Sequence, residues 1–145
     1  MENSTNEIYF VVDGEVVGKG RPRFSRAGGY VKAYTPSKTV KYEEKVRGAY
    51  FTEYGNKKPI WGDKEPLEVI INAYFEIPKS ASKKKRLEML TDERPTKKPD
   101  GDNILKAITD ACNGVIYRDD SQIVSATVRK FWSEKSRAEI IIREV

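Results

Sequence analysis

The sequence predicts an α/β protein of the mixed α+β kind, in which a mixed, largely antiparallel sheet is flanked by helices in one domain. Three observations lead to this class. Segments with the patterns of strands occur near both ends and in the middle of the chain; residues 7–13 are rich in β-branched and aromatic residues, and the last two segments alternate apolar and polar residues. Helical patterns separate these segments, and 145 residues are enough for one modest core. The predicted order of elements is β-β-α-β-α-α-β-β.

Each element follows from a residue pattern with a physical reason. Alternating β-branched and aromatic residues favour strands, serine, threonine and proline favour helix starts, and glycine ends helices. In the first half these patterns predict a strand over residues 7–13 with a short return at residues 16–17, a long loop over residues 18–35, and a helix capped by Thr35 that runs to Tyr54 and ends at Gly55. In the second half they predict a strand over residues 67–77, a basic helix from Ser80 to Leu90, a helix from Asp102 to Asn113, and a hairpin of two strands over residues 123–132 and 138–145.

The absence of histidine narrows the possible chemistry. It excludes Ser-His-Asp and Cys-His pairs and histidine-ligated zinc, and the one cysteine, Cys112, excludes an intrachain disulfide and a zinc ribbon. Catalysis would have to use carboxylates, lysine, arginine or hydroxyl groups. Carboxylates favour hard ions, so the expected cofactor is Mg²⁺, with Mn²⁺ as a substitute. The formal net charge of +5 favours an anionic partner such as nucleic acid, although many soluble proteins are equally basic.

Targeting and nucleotide-binding signals are missing from the sequence. No apolar run approaches the roughly 20 residues that span a bilayer, and the polar N-terminus lacks the order of a secretory signal. We therefore expect a cytoplasmic protein without a membrane partner. No Gly-x-x-x-x-Gly-Lys-Ser/Thr loop occurs, so no nucleotide cofactor is expected.

The most informative stretch surrounds the helix predicted to begin at Asp102. Four polar residues at helical spacing form a stripe along this helix, namely Asp102, Lys106, Asp110 and Asn113. Asp100 and Asp102 lie at the helix start, where the helix dipole stabilises carboxylates. The helix is about 18 Å long, and the seven residues after it can span about 23 Å. Asp119 and Asp120 can therefore return beside Asp100 and Asp102, which would bring three or four carboxylates together.

A metal site and an ordinary structural role both explain these aspartates. Taken singly, each is typical of a helix cap or a turn. Together they repel one another unless a cation relieves the repulsion, and divalent metals beside phosphate do so in enzymes that displace groups at phosphorus. An EF-hand counted from Asp100 fits worse, because Ile104 and Leu105 occupy a ligand position and the required glycine position. A phosphatase-type Asp-x-Asp follows a buried strand, whereas this one follows Lys97, Lys98 and Pro99.

Two motifs resemble the RusA family of Holliday junction resolvases. The first is Lys98-Pro-Asp-Gly-Asp-Asn-Ile-Leu-Lys-Ala, and the second is Tyr117-Arg-Asp-Asp-Ser-Gln-Ile. The N-terminal Gly18-Lys-Gly-Arg-Pro-Arg-Phe24 and Tyr34-Thr-Pro36 are similar to bacterial and prophage members, so the resemblance spans nearly the whole chain. Some members have a basic residue directly before the first aspartate, where this chain has Pro99.

The resemblance implies a mixed α/β fold, a homodimer and a set of site residues. It implies that Asp100, Asp102 and Asp120 bind Mg²⁺ as the catalytic acids, that Asp119 is a less critical ligand, and that Lys106 is the catalytic lysine. Lys106 lies one turn from Asp102, where it can neutralise charge in the transition state. A dimer suits a four-way junction, which has near two-fold symmetry and needs two paired cuts.

Basic residues outside the acidic motif predict a DNA-contacting surface. The predicted DNA-binding residues are Lys19, Arg21, Arg23, Arg26, Lys32, Lys97 and Lys98. Those of the N-terminal loop alternate with Phe24 and Tyr30, a combination that suits contact with phosphates and stacking on unpaired bases. A solvated loop is the alternative, and the run from Lys83 to Arg86 is more typical of a solvated helix face.

Together with these patterns, the resemblance implies a metal-dependent endodeoxyribonuclease that resolves four-way junctions in DNA recombination and repair. The family implies products with a 5′-phosphate and a 3′-hydroxyl. Two alternatives stay open at this point. One is a nuclease of broader substrate specificity that also cuts flaps, forks or single strands. The other is a branched-DNA-binding accessory protein without catalysis.

Overall fold

The structure is a computed structural model that describes residues 7–55 and 61–145. Its elements in chain order are the strands β1 (Glu7–Asp13), β2 (Arg23–Ala27) and β3 (Tyr30–Tyr34), helix α1 (Ser37–Tyr54), strand β4 (Leu67–Glu76), helices α2 (Lys83–Thr91) and α3 (Gly101–Cys112), a 3₁₀ turn (Asp120–Gln122), and the strands β5 (Ile123–Ser133) and β6 (Arg137–Glu144). The predicted α+β class is confirmed. No helix in the described part of the chain has the length and apolar character that crossing a membrane requires.

The main sheet has four strands in the order β1-β6-β4-β5. β6 pairs antiparallel with both β1 and β4, whereas β5 pairs parallel with the other edge of β4. The sheet is therefore mixed and largely antiparallel, as the sequence predicts. β4 is its most buried strand, because every second residue from Leu67 to Phe75 faces the core.

The hairpin predicted from the last two strands is wrong. β5 and β6 do not pair with each other, because β4 lies between them and forms a ladder with both. The link from Ser133 to Arg137 instead crosses the end of β4, where the Ile77 amide donates to the Ser133 carbonyl at 3.0 Å. Alternation of apolar and polar residues sets which face of a strand is buried, but not which strand is its neighbour.

Helices α1 and α3 cover the apolar face of the sheet. Tyr42, Val46 and Tyr50 of α1 join Ile104 and Ile108 of α3 in one buried cluster with the inward residues of β1, β4 and β6. The two helices also contact each other. This packing fixes α3 against the sheet and leaves its polar stripe facing outward.

A second, two-stranded sheet occupies much of the predicted loop over residues 18–35. β2 and β3 pair antiparallel around Gly28 and Gly29, which both have positive φ (59° and 83°). A two-residue turn with positive φ at both positions matches the right-handed twist of a hairpin, and glycine adopts it without steric cost. The short return strand predicted at residues 16–17 does not form, and Val16 instead packs into the core.

Two predicted helix caps are displaced, that of α1 by one residue and that of α2 by two. α1 begins at Ser37 with Pro36 at the cap position, so Thr35 is not the cap. α2 is capped by Ser82 rather than Ser80, because the Ser82 hydroxyl accepts from the Lys85 amide at 3.1 Å. The predicted end of α1 at Gly55 is confirmed, and Gly55 has a φ of 71°.

Candidate active site

The polar stripe predicted on α3 exists and begins at the helix N-terminus. Asp100 occupies the N-cap position but makes no side-chain capping hydrogen bond, and Asp102 lies in the first turn. Asp100, Asp102 and Lys106 are exposed, whereas Asp110 is partly buried. Two carboxylates and an ammonium group are thus exposed in the first turns of α3.

Asp119 and Asp120 are held in place by a capping box around Gln122. The Asp119 carboxylate accepts from the Ser121 amide at 2.9 Å, and the Gln122 side-chain oxygen accepts from the Asp119 amide at 3.0 Å. The Gln122 side chain is buried, and its NH₂ group donates to the carbonyls of Gly62 and Glu65. Gln122 therefore anchors the Asp-Asp pair to the loop that precedes β4.

The chain after α3 turns back so that Asp120 lies beside the last turns of that helix. The Asp120 amide donates to the Asn113 side-chain oxygen at 2.9 Å, and its carboxylate accepts from the Tyr117 hydroxyl at 2.5 Å. That hydroxyl also lies 3.0 Å from the Thr109 carbonyl. Burial raises the pKa of the Asp120 carboxyl, the Tyr117 hydrogen bond opposes this effect, and the charges of Asp110 and Asp119 add to it. A carboxylate with a raised pKa is one that a nearby cation would stabilise.

The contacts of Asp120 lie along the second half of α3, whereas Asp100 and Asp102 lie at its start. The helical rise from Asp102 to Asp110 is about 12 Å. Within residues 7–55 and 61–145, no three carboxylate or thiol side chains lie close enough together to hold one metal ion. The meeting of three or four carboxylates in one place is therefore not found among the described residues, and the metal ligands stay a prediction.

Lys19 connects the loop between β1 and β2 to helices α1 and α3. Its amide donates to the Asn103 carbonyl at 2.8 Å, and its ammonium group lies 2.9 Å from Glu43 of α1 and 3.0 Å from Asp110 of α3. Burial alone would lower the pKa of Lys19, but the hydrogen bonds to Glu43 and Asp110 outweigh burial and raise it. Although Lys19 was predicted to contact DNA, the structure engages its charge with two carboxylates of the protein.

Other predicted basic residues surround an open cleft beside Asp100. The cleft has a volume of about 650 Å³, and Arg21, Arg23 and Lys98 line it together with Asp100 and Asn103. A Cβ atom at Gly18 would lie 2.6 Å from Pro99, so the loop passes directly over the start of α3. Lys97 is exposed near this cleft, while Arg26 and Lys32 lie farther out on the hairpin.

The family follows from comparison with known sequences. The sequence profile of the family described as endodeoxyribonuclease RusA matches residues 13–143. The chain belongs to the RusA family. It is also 40% identical over 141 residues to the uncharacterized protein YqaN of Bacillus subtilis (strain 168), and the match covers 95% of this chain and 96% of that relative. The predicted resemblance to the RusA family is confirmed, and with it the function class of an endodeoxyribonuclease that acts on Holliday junction DNA.

The structure adds supporting residues to those that the RusA motifs predict. Gln122 belongs to the second of the two RusA-like motifs, which begins at Tyr117, and its buried hydrogen bonds explain why glutamine is suited to that position. Tyr117 and Asn113, which hold Asp120, lie within or beside the same motif. Glu43, the partner of Lys19, was not predicted, because nothing in the local pattern of α1 distinguishes it from the other acidic residues there.

Proposed function

We propose that this RusA-family chain is a Mg²⁺-dependent endonuclease that resolves four-way DNA junctions by paired phosphodiester hydrolysis. One observation carries the proposal. The cleft that brings exposed Arg21, Arg23 and Lys98 together also contains Asp100 at the N-terminus of α3. Basic residues attract the phosphate backbone, and carboxylates next to them serve no purpose in simple binding because they repel phosphate.

The donor set at the start of α3 fits Mg²⁺. This ion is commonly held by one or two protein carboxylates and fills its remaining positions with water and substrate phosphate oxygens. Asp100 and Asp102 would meet that need without a third protein ligand, and no hydrogen bond or ion pair holds either carboxylate within the described part of the chain. Bound there, Mg²⁺ would supply an activated water and neutralise charge on the phosphate, and Mn²⁺ would substitute. We also assign Asp120 as an acid in this phosphodiester hydrolysis, with the neighbouring Asp119 in a less critical role.

We assign Lys106 a role beside these acids. It lies one turn beyond Asp102 on the exposed stripe, between the start of α3 and the contacts of Asp120. An ammonium group at this place would stabilise the negative charge that develops on the phosphate oxygens in the transition state.

The basic residues divide into two roles. Arg21, Arg23 and Lys98 line the cleft and would contact the backbone of the cleaved strand, and Lys97, Arg26 and Lys32 would extend this surface. Lys19 is assigned a positioning role, because Glu43 and Asp110 already neutralise it. We further propose that the chain acts as a homodimer, since two cuts related by two-fold symmetry need two sites. Action on recombining and repairing DNA would place the protein in the cytoplasm.

A cleavage assay on a synthetic four-way junction tests the proposal. Each arm is end-labelled in turn, a linear duplex of the same sequence is the control, and reactions contain Mg²⁺ or EDTA. Asp102→Asn removes one acid, and Asp92→Asn, an equally conservative change at the exposed end of α2, is the matched control. We expect paired symmetric nicks that require Mg²⁺, disappear in the Asp102 variant and persist in the Asp92 variant.

Two results would replace the proposal. Junction binding without cleavage in Mg²⁺ or Mn²⁺ would make the chain a branched-DNA-binding protein. Equal cutting of junctions, flaps and forks would retain a nuclease but contradict the resolvase assignment.

A further inference from the structure

The β2–β3 hairpin is exposed on both of its faces. Its strands pair with each other and with none of the other described strands. Phe24, Tyr30 and Val31 are 69%, 77% and 61% exposed, and Tyr34 is 47% exposed. A two-stranded hairpin is only marginally stable in water without something to cover it. A binding partner is therefore needed to explain large apolar side chains at this place.

The residues of the hairpin identify the chemistry of that partner. Directly paired residues lie on the same face of a sheet. One face carries Arg23 and Tyr34, which pair with each other, and the other carries Phe24 together with the pair Arg26 and Val31. Each face thus combines a cation with a flat or apolar side chain, and residues 23–34 contain no acidic residue. Nucleic acid is the partner that offers phosphates to the cations and bases to the rings.

The hairpin is continuous with the cleft beside Asp100. Arg23 lines that cleft and also a second groove, in which the basic residues Lys38 and Lys41 outnumber the one acidic residue, Glu44. A predominantly basic path therefore leads from Asp100 to the base of the hairpin. Strands of this length extend about 17 Å, which matches about five base steps of one DNA strand.

We propose that the β2–β3 hairpin is an arm that recognises the branch point, with Phe24 and Tyr30 stacking on bases that the junction leaves unstacked. The inference rests on the proposed action on branched DNA. In an uninterrupted duplex each base is covered by its neighbours, so exposed rings find no surface on which to stack. At a branch point base faces are open. The aromatic residues therefore supply selectivity for junctions, while the cations bind any DNA.

A second copy of the chain is the competing occupant, and charge disfavours it. Two hairpins in contact would bring the cations of Arg23, Arg26 and Lys32 toward those of the partner without an acidic residue between them. DNA neutralises the same cations, which is why we favour it.

Binding measurements on matched DNA separate these roles. The probe is a four-way junction with 2-aminopurine at the branch point, compared with a linear duplex of the same sequence in Ca²⁺. The aromatic variant is Phe24→Ala with Tyr30→Ala, and the charge variant is Arg26→Gln with Lys32→Gln. Phe51→Ala is the matched control, because Phe51 is an exposed ring in the last turn of α1, about 21 Å of helix from the hairpin end of α1.

The aromatic variant should bind the junction at least about five-fold more weakly for each ring lost, since stacking on one base contributes this much or more. It should bind the duplex as the unaltered chain does, keep its salt dependence and lose the fluorescence change of 2-aminopurine. The charge variant should weaken binding to both DNAs and reduce the slope of log K against log salt by about 1.8. The Phe51 variant should change neither.

Three outcomes would overturn the inference. These are an unchanged junction affinity in the aromatic variant, an equal loss on junction and duplex, and conversion of a dimer to a monomer in sedimentation, which would assign the hairpin to a second copy. The proposed function fails separately. If the unaltered chain binds the junction through these rings but never cleaves it in Mg²⁺, the proposed role of the hairpin is kept and the proposed nuclease activity is rejected. If it cleaves junctions and the aromatic variant binds and cleaves equally well, only the arm is wrong.

Discussion

Replacing Lys19 with methionine should destabilise the protein well beyond what a surface ion pair contributes. The Lys19 side chain is 17% exposed, and its two partners, Glu43 and Asp110, are 14% and 33% exposed. Removing the ammonium leaves two carboxylates facing each other in a partly dry space. Breaking a fully buried pair costs about 3–5 kcal/mol, and because water reaches Asp110 we expect about 2–3 kcal/mol here. At about 2–4 °C per kcal/mol, the melting temperature should fall by about 5–10 °C.

The assay is urea and thermal unfolding of the Lys19→Met chain against two comparisons. Lys38→Met is the matched control, because the Lys38 ammonium is 3.9 Å from Glu15 and both side chains are more than two-thirds exposed. It should change stability by less than about 0.5 kcal/mol. Adding Glu43→Gln to Lys19→Met removes one of the two facing charges and should recover about 1 kcal/mol or more. The reasoning is refuted if the Lys19 variant is as stable as the Lys38 variant, or if Glu43→Gln recovers nothing.

The pH dependence of this effect has a defined sign. The pKa of Lys19 is raised in the folded protein. A group whose folded pKa lies above its unfolded value stabilises the fold fully below the unfolded pKa, which is about 10.4 for lysine. The stability difference between the unaltered chain and Lys19→Met should thus be constant from about pH 7 to pH 9. It should shrink as the pH rises through the folded pKa of Lys19.

Three further predictions concern single residues. Gln122→Leu leaves four backbone groups without their partner and should cost about 2–4 kcal/mol in urea unfolding. Gln122→Glu should cost at least as much while it is ionised, because it places a buried carboxylate oxygen against the carbonyls of Gly62 and Glu65. Cys112 is buried and its pKa is raised by burial, so a thiol reagent such as DTNB should react with it only after denaturant is added; rapid reaction of the folded protein would contradict the described core. Mg²⁺ at ten times its Kd should stabilise the protein by about 1.4 kcal/mol in a thermal-shift assay, and an equal shift in Asp102→Asn would show that Asp102 is not a ligand.

The sequence predicts the elements of this fold better than their arrangement. β4 and α3 have strong periodic patterns because each buries one face, and both occur where the pattern predicts. The β2–β3 hairpin was missed, although Gly28-Gly29 is a favoured two-residue turn, because the strands beside it are basic and do not alternate in the way of a buried face. The position of β6 between β1 and β4 depends on contacts between distant segments, which no local pattern contains.

The same distinction applies to the candidate site. The polar stripe of α3 and the return of Asp120 to that helix follow from helical spacing and chain length. The position along α3 at which Asp120 contacts the helix does not follow from them. It is set by hydrogen bonds of Asn113, Tyr117 and Gln122. Lys19 was predicted as a DNA contact from its basic neighbours alone, and only the packing of α1 against α3 shows that two carboxylates already surround it.

The strand order has a consequence for how the chain folds during synthesis. Among the described strands, β1 is made first and β6 last, and within this set β1 joins the rest of the sheet through β6 alone. In a nascent chain that has not yet emerged beyond Arg137, the edges of β1 and β4 that will pair with β6 are unpaired. The apolar face of the sheet is then still incomplete. Such long-range pairing slows folding because a large loop must close before the contacts form. Helix α3 depends on that sheet for its position and would reach its final geometry only after β6 leaves the ribosome. The candidate active site would therefore form in one step at the end of synthesis.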